Sequence, residues 1–156
     1  MLKCNSFNLD NNFLIKKPVH SLCRLKKLLL TAMKKKVLII ENDHDLRTMV
    51  VYLLEEEGFE TFSSPEPKNL EEILEFKPHV ILIDEFINNQ PGHRFCLKIK
   101  QSEKLKDIPV IILSTADDIE LIVEECKAND YVKKPFDIRE MVEKVVKTID
   151  KAPLIV

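Results

Sequence analysis

Three unbroken aliphatic runs, VLII at 37–40, VILI at 80–83 and VIIL at 110–113, constrain the fold of this chain more than any other feature. Four apolar residues in a row leave no polar face, so each run suits a strand covered on both sides, as in a parallel sheet with helices front and back. A shorter run at Tyr131 and Val132 and the alternating FETF at 59–62 supply two more strands. Between the runs lie stripes at helical spacing: Leu46, Val50, Leu53 and Leu54; Leu70, Ile73 and Leu74; Phe95 and Ile99; Ile119, Ile122, Val123 and Cys126; Ile138, Met141, Val142, Val145 and Ile149. Gly58 is placed to end the first helix in a left-handed cap, and Asp137 with Glu140 fits an acidic capping box opening the last.

The order is strand then helix, five times over. Right-handed crossovers turn that order into an open α/β sheet, and the alternating second strand belongs at an edge. This predicts a flavodoxin-like, doubly wound, five-stranded parallel sheet of order 2-1-3-4-5 with helices on both faces. With 156 residues, 45% of them hydrophobic, the chain can fill one core but not two. We assign the domain to 34–152, a tail to 153–156, and an N-terminal extension to 1–33. The extension has no sustained period, and its longest apolar run, at 28–30, is too short for a signal peptide or a membrane span. It is expected to be flexible and dispensable. It holds six Lys/Arg and a single acid, which leaves the body net acidic and argues against nucleic acid as a direct partner. The four cysteines are far apart with no CxxC pair, as expected of reduced thiols in a cytoplasmic protein.

Polar residues gather where the strands end: Glu41, Asn42 and Asp43 after the first, Asp84 after the third, Ser114 after the fourth and Lys134 after the fifth. In such a sheet these positions share one rim. Carboxylates brought together repel unless a cation joins them, and a hard divalent ion such as Mg²⁺ takes oxygen ligands of this kind. Metal, carboxylate, lysine and hydroxyl at one rim describe phosphoryl transfer, in which an Asp can be the nucleophile.

The stretches VLIIEND, PHVILIDEF, IPVIILSTA and NDYVKKPFD together resemble the receiver domain of two-component response regulators. The resemblance implies that Asp84 accepts a phosphoryl group from a sensor histidine kinase or histidine phosphotransfer protein. Glu41, Asn42, Asp84 and the backbone carbonyl of Phe86 would hold Mg²⁺, with Asp43 a possible substitute ligand. Lys134 would pair with the phosphoryl group, Ser114 would turn to hydrogen-bond it, and Tyr131 would follow Ser114 inward as an aromatic switch. It further implies a cis Lys134–Pro135 bond, and a contact surface for a downstream protein on the fourth helix, fifth strand and fifth helix, including Leu121 and Val132. With the chain ending just after the fifth helix, the expectation is a single-domain regulator or phosphorelay shuttle, a signalling module and not an enzyme.

Three departures from the family pattern stand out. Asn42 occupies the place of a second acid, Asn88 that of a common proline, and Pro91-Gly92 replaces the usual Asp-Gly. The alternative reading is therefore a pseudo-receiver that signals by protein contacts without phosphorylation. A haloacid-type phosphatase is disfavoured, because Asp84 is followed by Glu85 and Phe86 and not by the Asp-x-Asp acid. Strand alternation points Glu85 away from the pocket, towards a solvated surface role, and His44 and His93 are expected to be exposed.

Overall fold

The structure, a computed structural model, describes residues 34–152; the readings made for 1–33 and 153–156 lie outside them. In chain order the elements are β1 (Lys36–Ile40), α1 (His44–Glu56), β2 (Glu60–Ser64), α2 (Leu70–Phe76), β3 (Val80–Asp84), a hairpin of β4 (Phe86–Ile87) and β5 (Gln90–Pro91), α3 (His93–Gln101), β6 (Val110–Ser114), α4 (Ile119–Cys126), β7 (Asp130–Lys133) and α5 (Ile138–Lys151). Five strands form one sheet of order β2-β1-β3-β6-β7, all pairs parallel. This is the predicted order, with the hairpin set apart from it.

Each aliphatic run divides between two cores because side chains alternate along a strand. Leu38, Ile40, Ile81, Ile83 and Ile112 face α2, α3 and α4, where they meet Ile73, Cys96, Ile99, Ile119 and Cys126. Val37, Ile39, Leu82, Leu113 and Val132 face α1 and α5, where they meet Val50, Leu54, Met141 and Val145. Burial of each large aliphatic contributes roughly 1.5–3 kcal/mol. Cys96 and Cys126 are free thiols within the first core. Val132, expected on the contact surface, is fully buried instead: it points inward under α5 although its strand is at the sheet edge. Leu121, by contrast, is 67% exposed.

Helix ends are fixed by side chains more than the sequence suggested. Asp43 caps α1, its Oδ1 accepting from the Asp45 and Leu46 amides at 2.9 and 3.0 Å. A complete capping box joins Asn69 and Glu72 at α2. At α5, Asp137 accepts from the Arg139 amide without a reciprocal bond from Glu140, so the capping box expected there does not form. Gly58 adopts φ 88° just past α1, as predicted. The Lys134–Pro135 bond is cis, also as predicted.

Candidate phosphoryl-acceptor site

The rim residues continue the alternation of the strands that carry them. Two residues beyond Ile39, Leu82 and Val132, on the face covered by α1 and α5, come Glu41, Asp84 and Lys134. The backbone ladder extends far enough to hold them in place: Glu41 N–H donates to Ser64 O at 3.1 Å, Glu85 N–H to Leu113 O at 2.8 Å and Lys134 N–H to Ser114 O at 2.7 Å. Glu41 and Asp84 are buried, and Lys134 Nζ donates to Glu41 Oε2 and to Asp84 Oδ1, both at 2.8 Å.

Burial pushes the Glu41 carboxyl above its usual range, against hydrogen bonds from Lys134 and the Asp43 amide, and the neighbouring Asp84 charge adds to the rise. Burial alone would lower Lys134. The hydrogen bonds to Asp84 and Glu41 outweigh it and hold the ammonium above its ordinary value. The pocket thus contains two carboxylates bridged by one ammonium, and Asp84 Oδ2 has no hydrogen bond among the described residues.

Ser114 lies on the other face. Ile112 and Tyr131 are register partners in β6 and β7, so Ser114, two residues past Ile112, shares a face with Tyr131. Its Oγ accepts from the Ala116 amide at 2.9 Å. Tyr131 points its hydroxyl outward to Glu120 Oε1 at 2.6 Å.

After Asp84 the chain makes a tight hairpin, with Asn88 and Asn89 both in the left-handed region at φ 51° and 61°. Two consecutive left-handed residues are what a two-residue type I′ turn requires, and Asn tolerates them better than most residues. The hairpin was not anticipated, although Asn88-Asn89 is a legible turn signal. Phe86 and Pro91 oppose each other as a non-hydrogen-bonded pair, between the turn-flanking Ile87 and Gln90 and the bond from Gly92 N–H to Glu85 O. Pro91 therefore gives up no ladder bond by lacking an N–H, and the Phe86 carbonyl points away from the hairpin partner. Gly92 then packs so closely on the Asp84 carbonyl that a Cβ there would overlap it.

Two expectations are corrected here. Glu85 does face away from the pocket, but that side of the sheet is covered by α3 and α4, so it is 5% exposed and not solvated. His93 is partly buried against it, with Nδ1 2.6 Å from Glu85 Oε1. Glu85 Oε2 is buried without a partner among the described residues. His44 is exposed, as expected. Arg47 was missed from the sequence: its Nη1 donates to the carbonyls of Glu41 at 2.6 Å and Asn42 at 3.3 Å, tying down the acidic loop.

The donor set suits a hard cation, with two carboxylates, the uncommitted Phe86 carbonyl and the exposed Asn42 amide close in sequence to Glu41. Among the described residues no group of three or more His, Cys, Asp or Glu is arranged to hold a metal. Asp43 Oδ1 is occupied by its capping bonds, so service as a ligand would compete with the start of α1.

Residues 37–146 match the family model for the response regulator receiver domain. The chain belongs to this family. The phosphate regulon transcriptional regulatory protein PhoB of Escherichia coli (strain K12) is 29% identical over 116 residues, covering 72% of this chain and 51% of PhoB. The chain therefore spans about half the length of the curated relatives it matches. Among solved structures, a putative response regulator from Chloroflexus aurantiacus superposes with TM-score 0.71 at 23% identity, covering 76% of this chain and all of that one. The chemotaxis protein CheY4 of Vibrio cholerae gives 0.68 at 19% identity, covering 74% and 99%. These likenesses establish the receiver fold. Receivers are signalling modules of two-component systems, and they generally bind Mg²⁺ at their acidic pocket. No helix among the described residues of this receiver is long and apolar enough to cross a membrane.

Proposed function

We propose that this receiver accepts a phosphoryl group on Asp84 from a phosphohistidine of a sensor kinase or phosphotransfer protein, and that the modification alters the surface of α4, β7 and α5. The observation that carries this reading is the bridge of Lys134 between Glu41 and Asp84 at the end of three strands.

In the transfer, an Asp84 carboxylate oxygen attacks phosphorus, the bond from phosphorus to the partner's imidazole nitrogen breaks, and an acyl phosphate forms. Lys134 moves its hydrogen bond from the carboxylate to the arriving phosphoryl oxygens, and the Ser114 hydroxyl leaves the Ala116 amide to donate to another. Mg²⁺, held by Glu41, Asp84, the Phe86 carbonyl and the Asn42 amide oxygen, would neutralise charge on the transferring group. With Asn42 neutral, this site is expected to hold the ion more weakly than one with two acids beside Asp84.

Incubation with acetyl phosphate and Mg²⁺ tests the reading: mass spectrometry should find one phosphoryl group on the wild type and none on Asp84→Asn. The second reading, a pseudo-receiver acting without phosphorylation, is favoured by Asn42, which puts a neutral amide where the family pattern has a second acid. It would replace the first if neither acetyl phosphate nor phosphoramidate labels the wild type.

A further inference from the structure

Tyr131 is held from three sides, and two of the holding groups come from different helices. From α4, the Glu120 carboxylate accepts its hydroxyl hydrogen at 2.6 Å. From α5, Lys144 Nζ lies 4.7 Å from the ring centroid and also donates to the Tyr131 carbonyl. On its inner side the ring packs against the core beneath α3 and α4. The Glu120 bond lowers that carboxyl and raises the phenol, as expected when a charged acceptor stabilises the neutral hydroxyl.

We propose that Glu120 is a positioning residue, a latch that keeps the Tyr131 side chain outward in the resting protein and sets how easily the ring leaves that position. The inference rests on the phosphoryl-acceptor reading only for its consequence, since the latch itself is a property of the unmodified chain. Lys144 has a different task. By holding the Tyr131 carbonyl and approaching Asp130 Oδ1 at 3.6 Å, it fixes the β7 backbone. Ring movement is then a side-chain rotation about a stationary strand.

The geometry links the two switch residues through this latch. Ser114 and Tyr131 share a face of neighbouring strands, so Ser114 turning towards Asp84 vacates space on that face. The ring can use the space only by giving up Glu120. A charge-assisted bond from phenol to carboxylate is stronger than a neutral one, but this pair is exposed to solvent, which weakens it. The latch should therefore bias the switch by a modest factor and not lock it.

The test uses the full chain. Tyr52 and Tyr131 are its two tyrosines, so Tyr52→Phe leaves Tyr131 as the single site for 3-fluorotyrosine. The ¹⁹F solvent isotope shift of Tyr131 then reports how far the ring is exposed, without any phosphodonor. Glu120→Ala should reduce that shift, Glu120→Gln, which keeps an acceptor oxygen, should reduce it less, and Glu124→Ala, on the same exposed side of the chain, should leave it unchanged. Labelling of Asp84 by acetyl phosphate should be faster in Glu120→Ala by about threefold, the scale supported by an exposed charge-assisted contact. An unchanged fluorine shift in Glu120→Ala, or an equal change in Glu124→Ala, overturns the latch. If the ring responds as expected but Asp84 is not labelled in any variant, the latch stands and the phosphoryl-acceptor reading fails.

Discussion

Asn42 leaves a neutral amide beside Glu41 at the rim. Two unit charges about 4 Å apart interact by roughly 4 kcal/mol at an effective dielectric of about 20, so a carboxylate in its place would add a substantial attraction for Mg²⁺, partly offset by dehydration of the ion. Asn42→Asp should tighten Mg²⁺ binding in a calorimetric titration and speed phosphorylation of Asp84. In metal-free protein it should lower the melting temperature, because a third carboxylate joins two that Lys134 already has to bridge. Equal Mg²⁺ affinity in wild type and variant would refute this. Glu41 gives a second prediction. Its folded-state pKa lies above the ordinary 4.5, so between those two values the unfolded chain has lost a proton that the folded domain keeps. Stability without metal should then fall as pH rises from 4.5 through that window, and Glu41→Gln should remove this part of the slope in denaturant melts. The Phe86 side chain, two residues past the proposed acceptor Asp84, is 64% exposed. Phe86→Asn should hasten hydrolysis of the acyl phosphate; an unchanged lifetime of the label would show that the ring does not limit the approach of water.

At the scale of elements, the segment from β3 to α3 carries most of what is particular to this receiver. Glu85 is buried against the partly buried His93, and one Glu85 oxygen is left without a partner among the described residues. Glu85→Leu alone would strand His93, and His93→Leu alone would strand Glu85, each costing on the order of 3 kcal/mol, whereas the double variant should recover most of that loss. Additive losses in thermal melts would show that the two residues do not act as a pair. If the proposed face of α4, β7 and α5 receives a downstream protein, Leu121→Asp should weaken that binding with little change in melting temperature, since the side chain is already in solvent.

These elements also show what the sequence could reveal. The strands leading to Glu41, Asp84 and Ser114 were legible because each is an unbroken aliphatic run followed by polar residues; the strand before Lys134 carries only Tyr131 and Val132 and was read from its place in the strand–helix alternation. The hairpin after Asp84 was not, since two residues per strand carry no periodic signal. Glu85 was misread for a related reason: alternation gives the direction of a side chain, but whether that direction meets water depends on helices contributed from elsewhere in the chain. Asp43 was read as a possible substitute metal ligand, while the amides of α1 that claim its Oδ1 become visible only in three dimensions.

Taken as a whole, the molecule separates support from chemistry by face and by end. The two cores fill both faces of the sheet, and the candidate site residues stand where the β-ladders run out. Lys134 is the feature with the widest consequence. Because its ammonium already joins Glu41 and Asp84, the domain carries its own counterion, and the fold is expected to stand without a divalent ion. Adding a chelator should therefore abolish labelling of Asp84 while the protein stays folded, with its melting temperature returning only to the metal-free value. Under the proposed phosphoryl-acceptor reading, such a domain can be made, stored and carried to its partner empty, with the ion called on only at the moment of transfer.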